Sequence, residues 1–304
     1  MDSHVAVSSL SVIASIVGDI AYAVLIGLLF AQRWLAAPVF SPVLPQLRNI
    51  VTRRELLASL ALLGLAHLVK PWFVASSMSG SSNFHENLLL VPSILSSTHE
   101  GKLWWLGSFA ILMLTSLIAR FHRGVWQWFV IGAICLLAFI KAGSGHAADE
   151  GDFTLTEMLQ TVHILATATW AGPILMSGFV VLPNLVRTIS PALIWEYGGR
   201  LSRVATYSIG IIIVTGIYSS DKELSGTFSG LWMSTWGRIL IAKITFVLLA
   251  LTLGAVSRYL YLRNESTKER SCYLRNMVFS EAIAMLAILC LSGLLGNTAP
   301  AMSM

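Results

Sequence analysis

The chain has 304 residues, of which 56% are hydrophobic and only 12% charged, and its mean hydropathy is +0.74. Soluble domains carry about 25% charged residues, so the composition excludes an ordinary soluble protein and points to an all-α, polytopic membrane bundle. The net charge of +5 does not indicate nucleic acid, because the basic residues sit at the ends of apolar runs and not on one continuous face.

In chain order, eight spans are expected over 8–31, 53–77, 103–121, 125–142, 155–182, 203–220, 234–260 and 274–297, each near the roughly 20 apolar residues a bilayer requires. The first basic residue is Arg33, so a cleavable leader with a basic start is not expected and the first run stays as a span. Polar and breaker clusters mark the joints: "AAPVFSPVLPQLRN", "MSGSSNFHEN", "GSGHAADEGD", "SSDKELSGTFSG" and "NESTKERSCYLRN". The expected organisation is an N-terminal four-helix half, 1–142, and a C-terminal four-helix half, 143–304. Cys135, Cys272 and Cys290 have no paired spacing, and no phosphate-binding GxxxxGK[ST] loop is present, so neither a thiol transfer motif nor an ATP motor is read here.

Lys70, Lys102, Lys141, Lys222, Arg238 and Lys243 fall on one side or inside spans, which leaves fourteen of the 20 Lys and Arg residues on the other. The positive-inside rule makes that other side cytoplasmic and places both termini outside. His85, His99 and His146 then fall in outer segments, His67 and His163 in the outer halves of their spans, and Met78, Met302 and Met304 near the outer face. Thioether and imidazole suit copper in either oxidation state, Cu(I) or Cu(II), and resist the oxidation that threatens thiols in an oxidising compartment. Each of these signals also has a plain reading as ordinary membrane-protein usage.

Ionisable residues inside spans carry more weight, since each is costly in hydrocarbon unless paired or beside a watery cavity. Asp19, His67, His163 and Lys243 lie eight to eleven residues in from the outer helix ends, about 12–17 Å deep at 1.5 Å per residue. They could line an entry vestibule. Equally, Asp19 and Lys243 could pair to hold helices together, and His67, just before Lys70-Pro71, could bond a carbonyl freed by the proline. Glu281 lies deeper, in the inner half of the last span, and marks an exit path or a bond to a neighbouring hydroxyl. His163, Thr167 and Trp170 stand at i, i+4 and i+7 on one helix face, and Gly172-Pro173 is expected to break or kink that span. Asp149, Glu150 and Asp152 beside His146 would attract cations.

From residue 143 onward the sequence resembles the copper resistance protein D (CopD or PcoD) family. The resemblance rests on "SGHA", "VHILATATWAG", "RLSRVATYSIGIIIVTGIY", "TWGRILIAKI", "FSEAIAMLAIL" and "TAPA" in that order. The family pattern of a His with Trp-Gly falls on His163 and Trp170-Ala171-Gly172. Its aromatic-Gly-Arg followed by Lys falls on Trp236-Gly237-Arg238 and Lys243, with Trp236 where tyrosine is expected. Residues 1–142 share only the general span layout and basic inner loops. The resemblance implies a bacterial inner-membrane protein moving copper toward the cytoplasm, partnered by a periplasmic carrier of the CopC type, with a site built from outer His and Met residues. No chemical transformation is implied, so an enzyme is not expected. The alternative is a b-type haem electron-transfer protein with His67 and His163 as axial ligands.

Overall fold

The computed structural model describes residues 2–47, 49–120, 126–145, 153–224, 232, 234–262 and 267–298. Among these residues all regular structure is helical, as lipid demands of a chain whose backbone must satisfy its own hydrogen bonds. The elements are α1 (Asp2–Leu35), a 3₁₀ turn (Pro38–Val43), α2 (Leu44–Leu47), α3 (Arg53–Ser79), α4 (Phe84–Ser97), α5 (His99–Arg120), α6 (Trp126–Gly143) and α7 (Leu155–Met176). A π-helical turn (Ser177–Val181) and α8 (Leu182–Thr188) continue α7, followed by α9 (Pro191–Leu224), α10 (Thr235–Val256), a second π segment (Ser257–Leu262) and α11 (Lys268–Gly296).

Among the described residues seven helices are long and apolar enough to cross a membrane: Ser9–Leu35, Arg53–Ser79, His99–Arg120, Leu155–Thr188, Pro191–Lys222, Thr235–Tyr259 and Lys268–Gly296. The run expected at 125–142 forms a shorter apolar helix, Gln127–Gly143. Helix starts carry readable caps. Asn83 Oδ1 accepts from the His85 amide at 3.0 Å, Ser234 Oγ from Gly237 at 2.9 Å and Thr267 Oγ1 from Arg270 at 3.3 Å.

The chain resolves into two compact units. One comprises residues 1–21 and 57–165, the other 22–56 and 166–304. In the first, α5 packs on both α4 and α6. Gly101, at the start of α5, lets the two backbones meet, since a Cβ there would stand 2.7 Å from Leu95 Cα. Helix α4 lies in a segment expected to be a joint. It is tied down by Asn87, which is fully buried, accepts from Ser79 Oγ at 2.7 Å and donates to the Ser81 carbonyl at 2.9 Å.

In the second unit α10 packs along α11, and α11 also meets the π turn, α8 and α9. The core holds Leu25, Leu28, Ile174, Leu182, Leu185, Ile194, Leu274 and Met285, all at most 2% exposed. The fully buried Tyr197 meets Trp34 edge-on at 5.5 Å and shares a 2.9 Å hydrogen bond with Ser177 Oγ, the first residue of the π turn. Of the break or kink expected at Gly172-Pro173, a break does not occur. Helix α7 runs through Pro173 to Met176, and the widening begins only at Ser177. The physical role of Gly172 is close approach: a Cβ there would overlap the Ala23 carbonyl oxygen, and one at Gly27 would overlap the carbonyl of Gly172. Here α1 and α7 meet backbone to backbone through two small residues, the usual way membrane helices gain dispersion contact.

Candidate functional site

In the first unit the most fully specified ionisable residue is His67 on α3. Its Nε2 lies 3.0 Å from the Trp104 carbonyl and 3.2 Å from Ser108 Oγ. The imidazole stacks on the Trp104 indole, with centroids 5.4 Å apart and planes 7° from parallel. Trp104 returns a hydrogen bond from Nε1 to the His67 carbonyl at 2.9 Å. Gly107 makes room for the ring, since a Cβ there would stand 2.5 Å from His67 Cε1. A carbonyl only accepts, so Nε2 carries the proton and Nδ1 is left with the lone pair. The carbonyl that His67 bonds therefore belongs to α5 and is not one freed on its own helix by Pro71. With Nε2 committed in this way, only Nδ1 of His67 is left to meet a metal.

Asp19 on α1 is nearly buried and forms an ion pair with Lys141 in the last turn of α6. This corrects the expected alternative in which Asp19 pairs with Lys243. Asp19 and Lys141 belong to one unit and Lys243 to the other. Lys141 was legible only as a lone cation at the end of an apolar run.

Met78, His85 and His99 are all exposed, at the end of α3, the start of α4 and the start of α5. Lys70 and Glu100 form a 3.1 Å ion pair that ties α3 to α5 in the same unit. Glu157, which sequence reasoning passed over, is 2% exposed. Its Oε2 accepts from the Phe153 amide at 2.7 Å, and its own amide donates to Thr154 Oγ1 at 3.2 Å, which caps the start of α7. Gly143 gives the carboxylate its seat: a Cβ there would stand 2.6 Å from Oε1. A Thr three residues before a Glu was the available signal. His163, further along α7, is half-buried.

In the second unit, the continuation of the His163 face carries two buried polar atoms that have no hydrogen-bond partner among the described residues, Thr167 Oγ1 and Trp170 Nε1. Trp170 is 2% exposed, as expected of a tryptophan too deep for an interfacial belt. Buried polar groups are nearly always satisfied, so these two atoms stand out on this face. On α10, Trp236 is buried and packs with Leu240 and Leu295, Arg238 is exposed, and Lys243 is half-buried with no hydrogen bond or ion pair among the described residues. Glu281 on α11 is 6% exposed.

His146, Met302 and Met304 lie outside the described residues. Among the described residues no three His, Cys, Asp or Glu side chains gather as a metal site. Of the expected outer ligands that are described, Met78, His85 and His99 stand at the ends of three separate helices.

Two family models match the chain: copper resistance protein D-like, N-terminal domain, over residues 6–155, and copper resistance protein D over residues 196–295. Copper resistance protein D of Pseudomonas syringae pv. tomato is 24% identical over 263 residues, covering 82% of this chain and 84% of that protein. Copper transport protein CutJ of Bacillus subtilis is 25% identical over 212 residues. That match covers 67% of this chain but 39% of the CutJ sequence, so the chain spans well under two thirds of that relative. No solved structure matches the chain.

Proposed function

Because the chain belongs to the copper resistance protein D family, we propose that it moves copper across the bacterial inner membrane without ATP hydrolysis. It is a multi-pass membrane protein of a copper-handling family. The observation that carries the proposal is the succession of the two family models along a chain with seven helices suited to spanning.

In this reading copper, taken from a periplasmic carrier of the CopC type, first meets Met78, His85, His99, His146 and the tail methionines Met302 and Met304. The soft and borderline donors Met78, His85 and His99, on separate helix ends, suit a cargo that must be released again, since a permease that binds too tightly does not turn over. His67 then presents Nδ1, oriented by its Nε2 bond to the Trp104 carbonyl, in the way second-partner bonds fix metal-binding imidazoles. His163 follows on α7. Thr167 and Trp170 line the path with unpartnered polar atoms, while Asp19 and Lys243 set its field and Glu281 governs the inner end. The bilayer orientation, with basic loops inside and both termini outside, belongs to the same proposal.

Purified protein in detergent, loaded with copper and freed of excess, tests the assignment. Bound copper that falls in His163→Ala and in His146→Ala supports it. Unchanged binding in both variants removes these residues from the path, and a strong haem absorption band at one haem per chain overturns the copper reading altogether.

A further inference from the structure

Glu281 sits where an acid is expensive. It lies in the middle of α11, 6% exposed, and no described side chain or backbone group hydrogen-bonds or ion-pairs with it. Its carboxylate lies across the face of α10 at Gly254: the point a Gly254 Cβ would occupy is 3.2 Å from Oε1 and 3.9 Å from Oε2. A side chain larger than hydrogen at 254 would push the carboxylate away, so glycine there makes the seat. Three residues on, and so on the same helix face, Ser257 is 5% exposed and its Oγ is buried with no hydrogen-bond partner among the described residues.

The turn of α11 that carries Glu281 is flanked by both π segments of the described chain. Ser257 opens one of them. The other, Ser177–Val181, presses Gly178 onto the same turn, where a Cβ would stand 2.7 Å from Ala282 Cβ and 2.8 Å from the Val278 carbonyl oxygen. Such π turns interrupt α-helices mostly at functional sites.

The neighbouring charges are otherwise engaged or distant. On α10, Lys243 precedes Gly254 by eleven residues, about 16 Å along the helix. Arg258 in the π segment donates to Thr206 Oγ1 at 3.0 Å, and Arg200 on α9 is paired with Glu196 at 2.9 Å. Tyr197 on α9 is bonded to Ser177. Neither Tyr259 in the π segment nor Arg187 on α8 forms a bond to Glu281.

We propose that Glu281, seated on Gly254, is a proton-binding site of the second unit. An isolated carboxylate charge with no partner is costly in a low-dielectric interior, and the group resolves that cost by holding a proton. A metal cation is the poorer occupant, because Na⁺-like or harder ions take about six or more oxygen ligands and among the described residues no cluster of three His, Cys, Asp or Glu side chains gathers around it. In the step itself one carboxyl O–H bond forms or breaks, the proton comes from or goes to water, and no electrons move. Resting on the copper-transport reading for what it drives, this site supplies the coupling ion for a permease without an ATP motor.

Difference infrared spectroscopy of the copper-free protein in nanodiscs, titrated from mildly acidic to alkaline pH, reads the site directly. Wild type is expected to show a protonated-carboxyl C=O band that disappears on titration, is missing throughout in Glu281→Gln, and shifts in frequency in Gly254→Ala, whose methyl would crowd the carboxyl. Glutamine matches the carboxyl in shape and charge state, so the fold is kept, and thermal unfolding of Glu281→Gln verifies this. A band equal in wild type and Glu281→Gln overturns the proposal, as does a band abolished by added Na⁺ at fixed pH. In proteoliposomes with an entrapped pH dye, copper-driven proton movement is expected to be lost in Glu281→Gln. Copper uptake without proton movement in wild type overturns the coupling. Absence of copper uptake in wild type overturns the transport reading while leaving the infrared result to decide the site.

Discussion

Replacing His67 by phenylalanine separates what its ring does from what its nitrogens do. The phenyl ring can keep the stack on Trp104, now set by a 5.4 Å centroid spacing, and can fill the notch left by Gly107. The Trp104 Nε1 bond to the residue-67 carbonyl survives, because it uses backbone only. What is lost is the Nε2 bond to the Trp104 carbonyl and to Ser108, worth about 1 kcal/mol net. Alanine at the same place also forfeits the stack, about 0.5–1.5 kcal/mol, and leaves a ring-sized void, for a total of about 2–4 kcal/mol. Thermal unfolding in detergent should therefore rank wild type, then phenylalanine, then alanine. If Nδ1 receives copper, both variants should weaken copper binding by about tenfold or more, on the scale at which even supporting partners of metal ligands matter, although phenylalanine costs little stability. A phenylalanine variant as unstable as alanine would refute the stacking argument, and one that binds copper like wild type would remove His67 from the path.

Asp19→Asn should destabilise the protein by about 1–3 kcal/mol, between the values for exposed and buried ion pairs, because Lys141 loses its carboxylate; adding Lys141→Gln should recover part of the loss in thermal unfolding. Gly172→Ala and Gly27→Ala should each cost about 1–3 kcal/mol as overpacking, since both new methyls meet backbone that cannot rotate away; unfolding transitions as in wild type would contradict the close approach of α1 and α7. The triple variant Met78→Leu, His85→Gln and His99→Gln changes only exposed side chains and should leave stability within about 0.5 kcal/mol of wild type. Its copper uptake at limiting copper should nevertheless fall.

Apolar run length made the helices legible: the span at 53–77 matches α3 nearly end to end, and that at 274–297 covers α11 from its second turn to its end. Helix α4 was hidden because its start, "SSNFHEN", is polar and because Pro92 sits inside it. That polarity turns inward at Asn87, whose partners Ser79 and Ser81 stand just upstream. Gly172-Pro173 read as a break because proline removes a helix donor, yet a lipid-embedded helix gains by keeping its remaining bonds, and the glycine serves α1. The His163, Thr167 and Trp170 stripe was visible at helical spacing. That its Thr167 and Trp170 atoms lack partners depends on which helices face them, which spacing along one helix does not encode. The same limit hid Lys141 as the partner of Asp19, and the Gly254 seat beneath Glu281.

Flux of isotopic copper into proteoliposomes containing only this protein, with no ATP present, tests the central claim most directly. The account expects saturable uptake above empty liposomes that falls in His163→Ala. Uptake equal to that of empty liposomes, from protein shown to be folded by its thermal transition, would contradict it.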